Sequence, residues 1–148
     1  MGLTGGEFVA EYLIAEGVPY VFGIPGHGDM AAFDAFKDRE DRSEMIAPRH
    51  EQAAAHMADA YYRASGKPLA TMTSIGPGSL NIATGLATAF IDSIPMISFT
   101  GGPQTYMLGR GVLQELERQQ DNVFPHILQP MTKRNWDVQH VDLLADVL

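Results

Sequence analysis

At 148 residues, 45% of them apolar, the chain is long enough for one compact domain with a real core. A formal net charge of −8, with only ten Lys and Arg, argues against nucleic acid or an anionic membrane surface as a partner, because both attract clustered basic side chains. The absence of Cys removes disulfides, thiolate zinc sites and cysteine nucleophiles, and a start (MGLTGGEFVAEYL) with neither a basic region nor a long apolar run leads us to expect a soluble, cytoplasmic protein without a membrane span.

Thr4 and Glu7 form a capping box, and Phe8, Val9, Tyr12 and Leu13 then recur at helical spacing until Gly17, which predicts a helix over 4–16. PYVFG (19–23) reads as a strand, and Asp29 as the cap of a second helix whose Met30, Phe33 and Phe36 share a face. The mixed-sign run KDREDRSE (37–44) reads as a solvated helix end and turn. EMIA (44–47), a helix over 49–64, LATMTS (69–74), a helix over about 78–91 and PMISFT (95–100) continue the alternation, with Met30, Met57, Met72 and Met96 expected in the core. LQELERQQ (113–120) is expected as a short helix, VFPHILQP (123–130) as loop, MTKRNW (131–136) as a fifth strand and VDLLADVL (141–148) as helix. Short, continuous apolar strands separated by helices predict an α/β fold: an open parallel sheet with helices on both faces, three layers deep.

In such a sheet ligands bind beyond the carboxyl ends of the strands, so GIPGHGD (23–29), APRHE (47–51), SIGPGSLN (74–81) and TGGPQ (100–104) should share one edge. The glycines in these loops suit either tight strand-to-helix turns or a ligand lying against the main chain. GPGSLN carries Asn81 where a dinucleotide fingerprint needs its third Gly, and no Gly-Lys-Ser/Thr follows, so ordinary nucleotide folds are disfavoured. RHEQAAAH suggests a zinc helix at first sight, but a zinc helix needs its His residues four apart. His50 and His56 are six apart, about 240° around a helix at roughly 100° per residue, and cannot share an ion. His50, His56, His126 and His140 have no partner spacing that suggests a metal, and no metal site is expected. By itself Glu51 is then either a first-turn glutamate that favours the helix dipole or a working carboxylate.

FGIPG (22–26), RHEQAAAHMADAYYRASGKP (49–68), TSIGPGSLNIATGLATAFIDSIPMISFTGG (73–102), LGRGVLQE (108–115) and PMTKRNW (130–136) together resemble the N-terminal pyrimidine-binding domain of thiamine-diphosphate-dependent enzymes, especially the acetolactate synthase group. The resemblance covers nearly the whole chain. It implies that Glu51 is the catalytic glutamate that hydrogen-bonds N1′ of the cofactor's aminopyrimidine, allowing the cofactor's own 4′ nitrogen to take the C2 proton before attack on a 2-oxo acid. It likewise implies cofactor contacts from Pro25, Gly26, Ser74, Pro77 and Asn81, and weaker substrate-side roles for His27 and Gln114. His27 stands where acetolactate synthases usually have Gly and related decarboxylases an acidic or hydroxyl residue, and Leu113 replaces a usual Phe. An exposed loop His, a turn-stabilising Asn and a surface Gln are the plain alternatives for His27, Asn81 and Gln114.

The family's diphosphate and Mg²⁺ site uses GDG and a later Asn motif, neither of which occurs here. The resemblance therefore implies that residues 1–148 form the N-terminal domain without its last strand, and that the middle and diphosphate-binding domains lie elsewhere. The diphosphate domain would come from the same or a second chain, in a homodimer or homotetramer, and the full-length protein could bind FAD. The alternatives are the pyrimidine-binding subunit of a split 2-oxo acid decarboxylase and a non-catalytic module of the same fold. In each case the 148 residues alone are expected to be inactive.

Overall fold

A computed structural model describes residues 2–115 and 123–148. The first helix, α1 (Gly5–Ala15), begins where the capping box predicts: Thr4 Oγ1 accepts the Glu7 amide proton, and Glu7 Oε2 accepts from the Thr4 amide at 2.7 Å. Val9, Ala10 and Leu13 form its buried stripe. At its end Gly17 takes φ +74°, and the Val18 amide reaches back to the Leu13 carbonyl, closing the helix and aiming the chain into the sheet.

Strands β1 (Tyr20–Ile24), β2 (Glu44–Ile46), β3 (Leu69–Thr73) and β4 (Met96–Thr100) pair in the order β2-β1-β3-β4, all parallel. Every residue of β3 is buried, as a central strand covered on both faces requires. The helices that follow in chain order are α2 (Met30–Asp34), α3 (Glu51–Ser65), α4 (Pro77–Asn81) and α5 (Ala83–Ile91). Parallel crossovers are right-handed, so the step from β1 to β2 and the opposite steps from β2 to β3 and from β3 to β4 put α2 on one face and α3 and α5 on the other. The core around Leu13, Val21, Phe36, Leu69 and Met72 fills the layers, and Ala55, Ile82, Leu86 and Leu128 form a second cluster beneath α3 and α5. The expected open three-layer α/β fold is what the chain adopts. Among the described residues no helix is long and apolar enough to cross a membrane.

Several local expectations are corrected. Residues 131–136 do not form a strand: 129–131 are a 3₁₀ turn and the rest is irregular. Lys133, Arg134, Asn135 and Trp136 are all exposed, so no buried face would compensate for ordering a fifth strand there. Residues 123–128, expected as loop, are helix α6 (Val123–Leu128). Pro125 lies in its first turn, where no intrahelical amide donor is needed, and Leu128 anchors the helix in the second cluster. Leu113 and Gln114 form a turn; residues 116–120 of the helix expected over 113–120 lie outside the described residues. The single helix expected over 78–91 is α4 and α5 with a turn at Ile82, in keeping with the weak helix formers Gly78, Ser79 and Asn81. The final helix, α7 (Leu144–Val147), follows a 3₁₀ turn at 141–143. Of the four methionines, Met72 is buried and Met57 and Met96 pack against the core, but Met30 is exposed because α2 is too short to carry a full apolar face.

The charged run 37–44 does more than face solvent. Arg39 Nε donates to Glu11 Oε1 at 2.7 Å and Arg42 bonds both Glu11 oxygens, tying the run to α1. Arg42 and Arg39 together hold the Glu11 carboxyl at about 2, well below its ordinary value of 4.5. A depressed carboxyl stabilises the fold above its ordinary value and loses that contribution as pH falls through the folded value. Glu11→Gln is therefore expected to lower the urea midpoint at pH 7, and the difference from wild type should shrink steadily below pH 4.5 and vanish near pH 2. A difference independent of pH would sink this account.

Candidate active site

From β1 the chain steps to one side of the sheet, and from β3 to the other. The carboxyl ends of these adjacent strands are therefore the topological switch point, and the space beyond them is the crevice in which open parallel sheets bind ligands, with the roots of the two loops in contact at Gly26 and Ser74. The residues singled out from the sequence fall around that crevice.

On the β1 side, Asp29 occupies the N-cap position of α2 but makes no capping bond with its side chain. Instead its Oδ1 accepts from the Gly26 amide at 2.7 Å, while the Asp29 amide returns a bond to the Gly26 carbonyl at 3.1 Å. This reciprocal pair fixes the turn 26–29. Burial pushes the Asp29 carboxyl above its ordinary range, opposed by the Gly26 amide, and Oδ2 is buried with no protein partner. Gly26 lies against Ser74 at the head of the β3 loop, so closely that a Cβ there would overlap Ser74 Oγ and Cβ. Pro25 and His27 flank Gly26 and are exposed.

On the β3 side, Ser79 Oγ donates to the Ser74 carbonyl and closes the loop, and Pro77 takes the first position of α4, where its missing donor costs nothing. The third wall is the start of α3. His50 is its N-cap, with Nδ1 accepting from the Gln52 amide at 3.2 Å, so this imidazole has a local structural use. Glu51 follows in the first turn, half-buried. Asn81 Nδ2 donates to Glu51 Oε2 at 3.0 Å, and a Cβ on Gly78 would stand 3.3 Å from Glu51 Oε1. One carboxylate oxygen is thus held by an amide, and the other faces the glycine turn of α4.

Glu51, Asn81, Ser74 and Gly26 are brought together around one crevice. Gln114 approaches from a later segment: its carbonyl rests on Gly76, at φ +62°, so closely that only glycine fits. Sequence reasoning misses two carboxylates. It takes Asp29 only as a helix cap, and it does not single out Glu115, which is buried. Local pattern carries little trace of either, although glycines at 109 and 111 flag a tight turn just before Glu115.

A cavity of about 540 Å³ runs along β4 to Trp136 and Leu144 and is lined at one side by Ile75 and Gly76 of the loop after β3. Neither Glu51 nor Asn81 lines it; Glu115 does, but both of its oxygens accept from backbone amides, whereas Glu51 has one oxygen held by Asn81 and the other facing the Gly78 turn, so the candidate chemistry is placed at the crevice. Among the described residues no group of three or more His, Cys, Asp or Glu could hold a metal ion.

The sequence pattern of the family described as thiamine pyrophosphate enzyme, N-terminal TPP binding domain, matches residues 3–122. Among curated relatives, the large subunit of acetolactate synthase from Haemophilus influenzae is 42% identical over 99% of this chain and 24% of its own length. The isozyme 1 large subunit from Escherichia coli is 35% identical over 98% of this chain and 25% of its own. The mitochondrial catalytic subunit from Saccharomyces cerevisiae is 42% identical over 79% of this chain and 17% of its own. The chain thus spans about a quarter or less of these relatives. With a parallel α/β sheet, the crevice at its switch point and this similarity in hand, the chain belongs to the thiamine pyrophosphate-dependent enzyme family, as an N-terminal cofactor-binding domain of the acetolactate synthase-like kind.

Proposed function

We propose that the chain is the pyrimidine-binding part of a thiamine-diphosphate-dependent enzyme acting on a 2-oxo acid, with Glu51 exchanging a proton with the aminopyrimidine. When bound, the cofactor supplies a carbon nucleophile for the 2-oxo carbonyl. The observation that carries this reading is the Glu51 carboxylate at the crevice, with Oε2 held by Asn81 at 3.0 Å and Oε1 left to take or give a proton. Gly26 and Ser74 supply one wall, and Pro25 and Pro77 shape the rims of the two loops. His27 and Gln114 lie on the substrate side. The diphosphate and Mg²⁺ belong to another domain of the same or a second chain. A homodimer or homotetramer, FAD in the full-length protein and a cytoplasmic location are parts of the same proposal. The relatives' names support carboligation to acetolactate over simple decarboxylation.

The test is to supply the protein at its full natural length with thiamine diphosphate, Mg²⁺ and pyruvate, and to follow acetolactate and acetaldehyde separately. Absence of any cofactor-dependent consumption of pyruvate or of longer 2-oxo acids would refute the reading. Asn81→Ala frees the Glu51 side chain to leave its working geometry, so kcat should fall about tenfold with the pyruvate KM little changed. Steady-state kinetics checks this, and a rise confined to KM would show that Asn81 does not hold Glu51 for proton exchange.

A further inference from the structure

The segment 109–115 is built around one carboxylate. Glu115 is only 6% exposed, and its two oxygens accept from two backbone amides, Oε1 from Gly109 at 2.7 Å and Oε2 from Val112 at 3.1 Å. Between and beside these anchors the backbone is left-handed three times, at Gly109 (φ +74°), Gly111 (φ +68°) and Gln114 (φ +64°). A non-glycine residue in that region is uncommon, and Gln114 keeps it while its carbonyl sits on Gly76, next to the turn that faces Glu51. A carboxylate is the one side chain of this size that accepts from two amides without presenting a donor to either.

We infer that Glu115 is a positioning residue: by clasping the Gly109 and Val112 amides it seats Gln114 on Gly76 at the mouth of the crevice, where Gln114 meets the 2-oxo acid. The inference rests on the function proposed above. Glu115→Gln keeps the shape but turns an NH₂ group toward one of the two amides, leaving a buried donor unpaired. Gly111→Ala loosens the same turn from its open side, since a Cβ there meets nothing within 4 Å and the cost lies only in the positive φ.

The experiment uses the protein at its full natural length. Trypsin cleavage after Arg110, which lies between the clasped amides, is timed by mass spectrometry against cleavage after Arg134 in the same molecule. Both Glu115→Gln and Gly111→Ala should speed cleavage at Arg110 about tenfold and leave Arg134 unchanged, because opening of a local unit sets the rate. With pyruvate, Glu115→Gln and Gln114→Ala should each raise KM about tenfold without altering half-saturation by thiamine diphosphate, and the double variant should be no worse than either single one. Equal acceleration at both cleavage sites, unchanged cleavage at Arg110 in both variants, or multiplying kinetic effects would overturn the inference. Should Glu115→Gln fail to fold, Gly111→Ala decides it alone. Failure of the functional reading is separate: wild type would then show no cofactor-dependent turnover, while the cleavage rates would still say whether Glu115 clasps the segment.

Discussion

Glu51→Gln, made in the protein at its full natural length, is expected to reduce thiamine-diphosphate-dependent turnover of pyruvate roughly 10²- to 10⁴-fold, the range in which a positioned acid–base group contributes. Glutamine has the same length and can still accept the Asn81 hydrogen bond through its amide oxygen, so the crevice should keep its shape. What it cannot do is hold a proton at one moment and release it at another. The loss should therefore fall on kcat, with half-saturation by the cofactor changed by less than about threefold. Glu51→Asp adds a second reading of the same geometry. The shorter carboxylate retains the chemistry but withdraws from Asn81, so an intermediate rate is expected. Turnover of Glu51→Gln within about twofold of wild type would leave Glu51 with only its first-turn role at the α3 N-terminus.

How legible this is in the sequence varies by level. The capping box at Thr4 and Glu7, the central strands and the start of α3 are local signals, and local signals survive folding unless packing overrides them. Glu51 is visible as a candidate because its neighbouring His spacing fails as a zinc site, yet nothing local can choose between a dipole partner and a working acid. That choice needs the family pattern and the Asn81 contact across 30 residues of sequence. The strand order β2-β1-β3-β4, which makes the crevice, is a property of pairing between distant segments and has no local trace. The errors share a cause, which is local pattern taken without its packing partner. Residues 123–128, expected as loop, form a helix in which a first-turn Pro is harmless, and 131–136, expected as strand, have no face to bury. Asp29 is the subtler case. Its position before α2 is as expected, but its carboxylate turns back to Gly26 and becomes part of the site wall.

The second large effect concerns that wall. Gly26→Ala places a methyl group into Ser74 Oγ and Cβ, and neither side can yield easily. Asp29 pins the Gly26 turn from below through the 2.7 Å bond, and Ser79 fixes the Ser74 carbonyl from above. The two loops must then separate, and a shift near 1 Å in groups that orient a reacting ligand costs on the order of 10²-fold in kcat/KM. If the clash is the cause, removing its other half should restore function. Ser74→Gly deletes both offending atoms, and the remaining Ser74 Cα would stand 3.7 Å from the new methyl, an ordinary van der Waals distance. The double variant Gly26→Ala with Ser74→Gly is therefore expected to recover most of the lost kcat/KM, apart from whatever the Ser74 hydroxyl itself contributes, which the single Ser74→Gly variant measures. Strictly additive losses across this cycle would mean that Gly26 and Ser74 act independently, and that the closeness of the two loops is not what shapes the site.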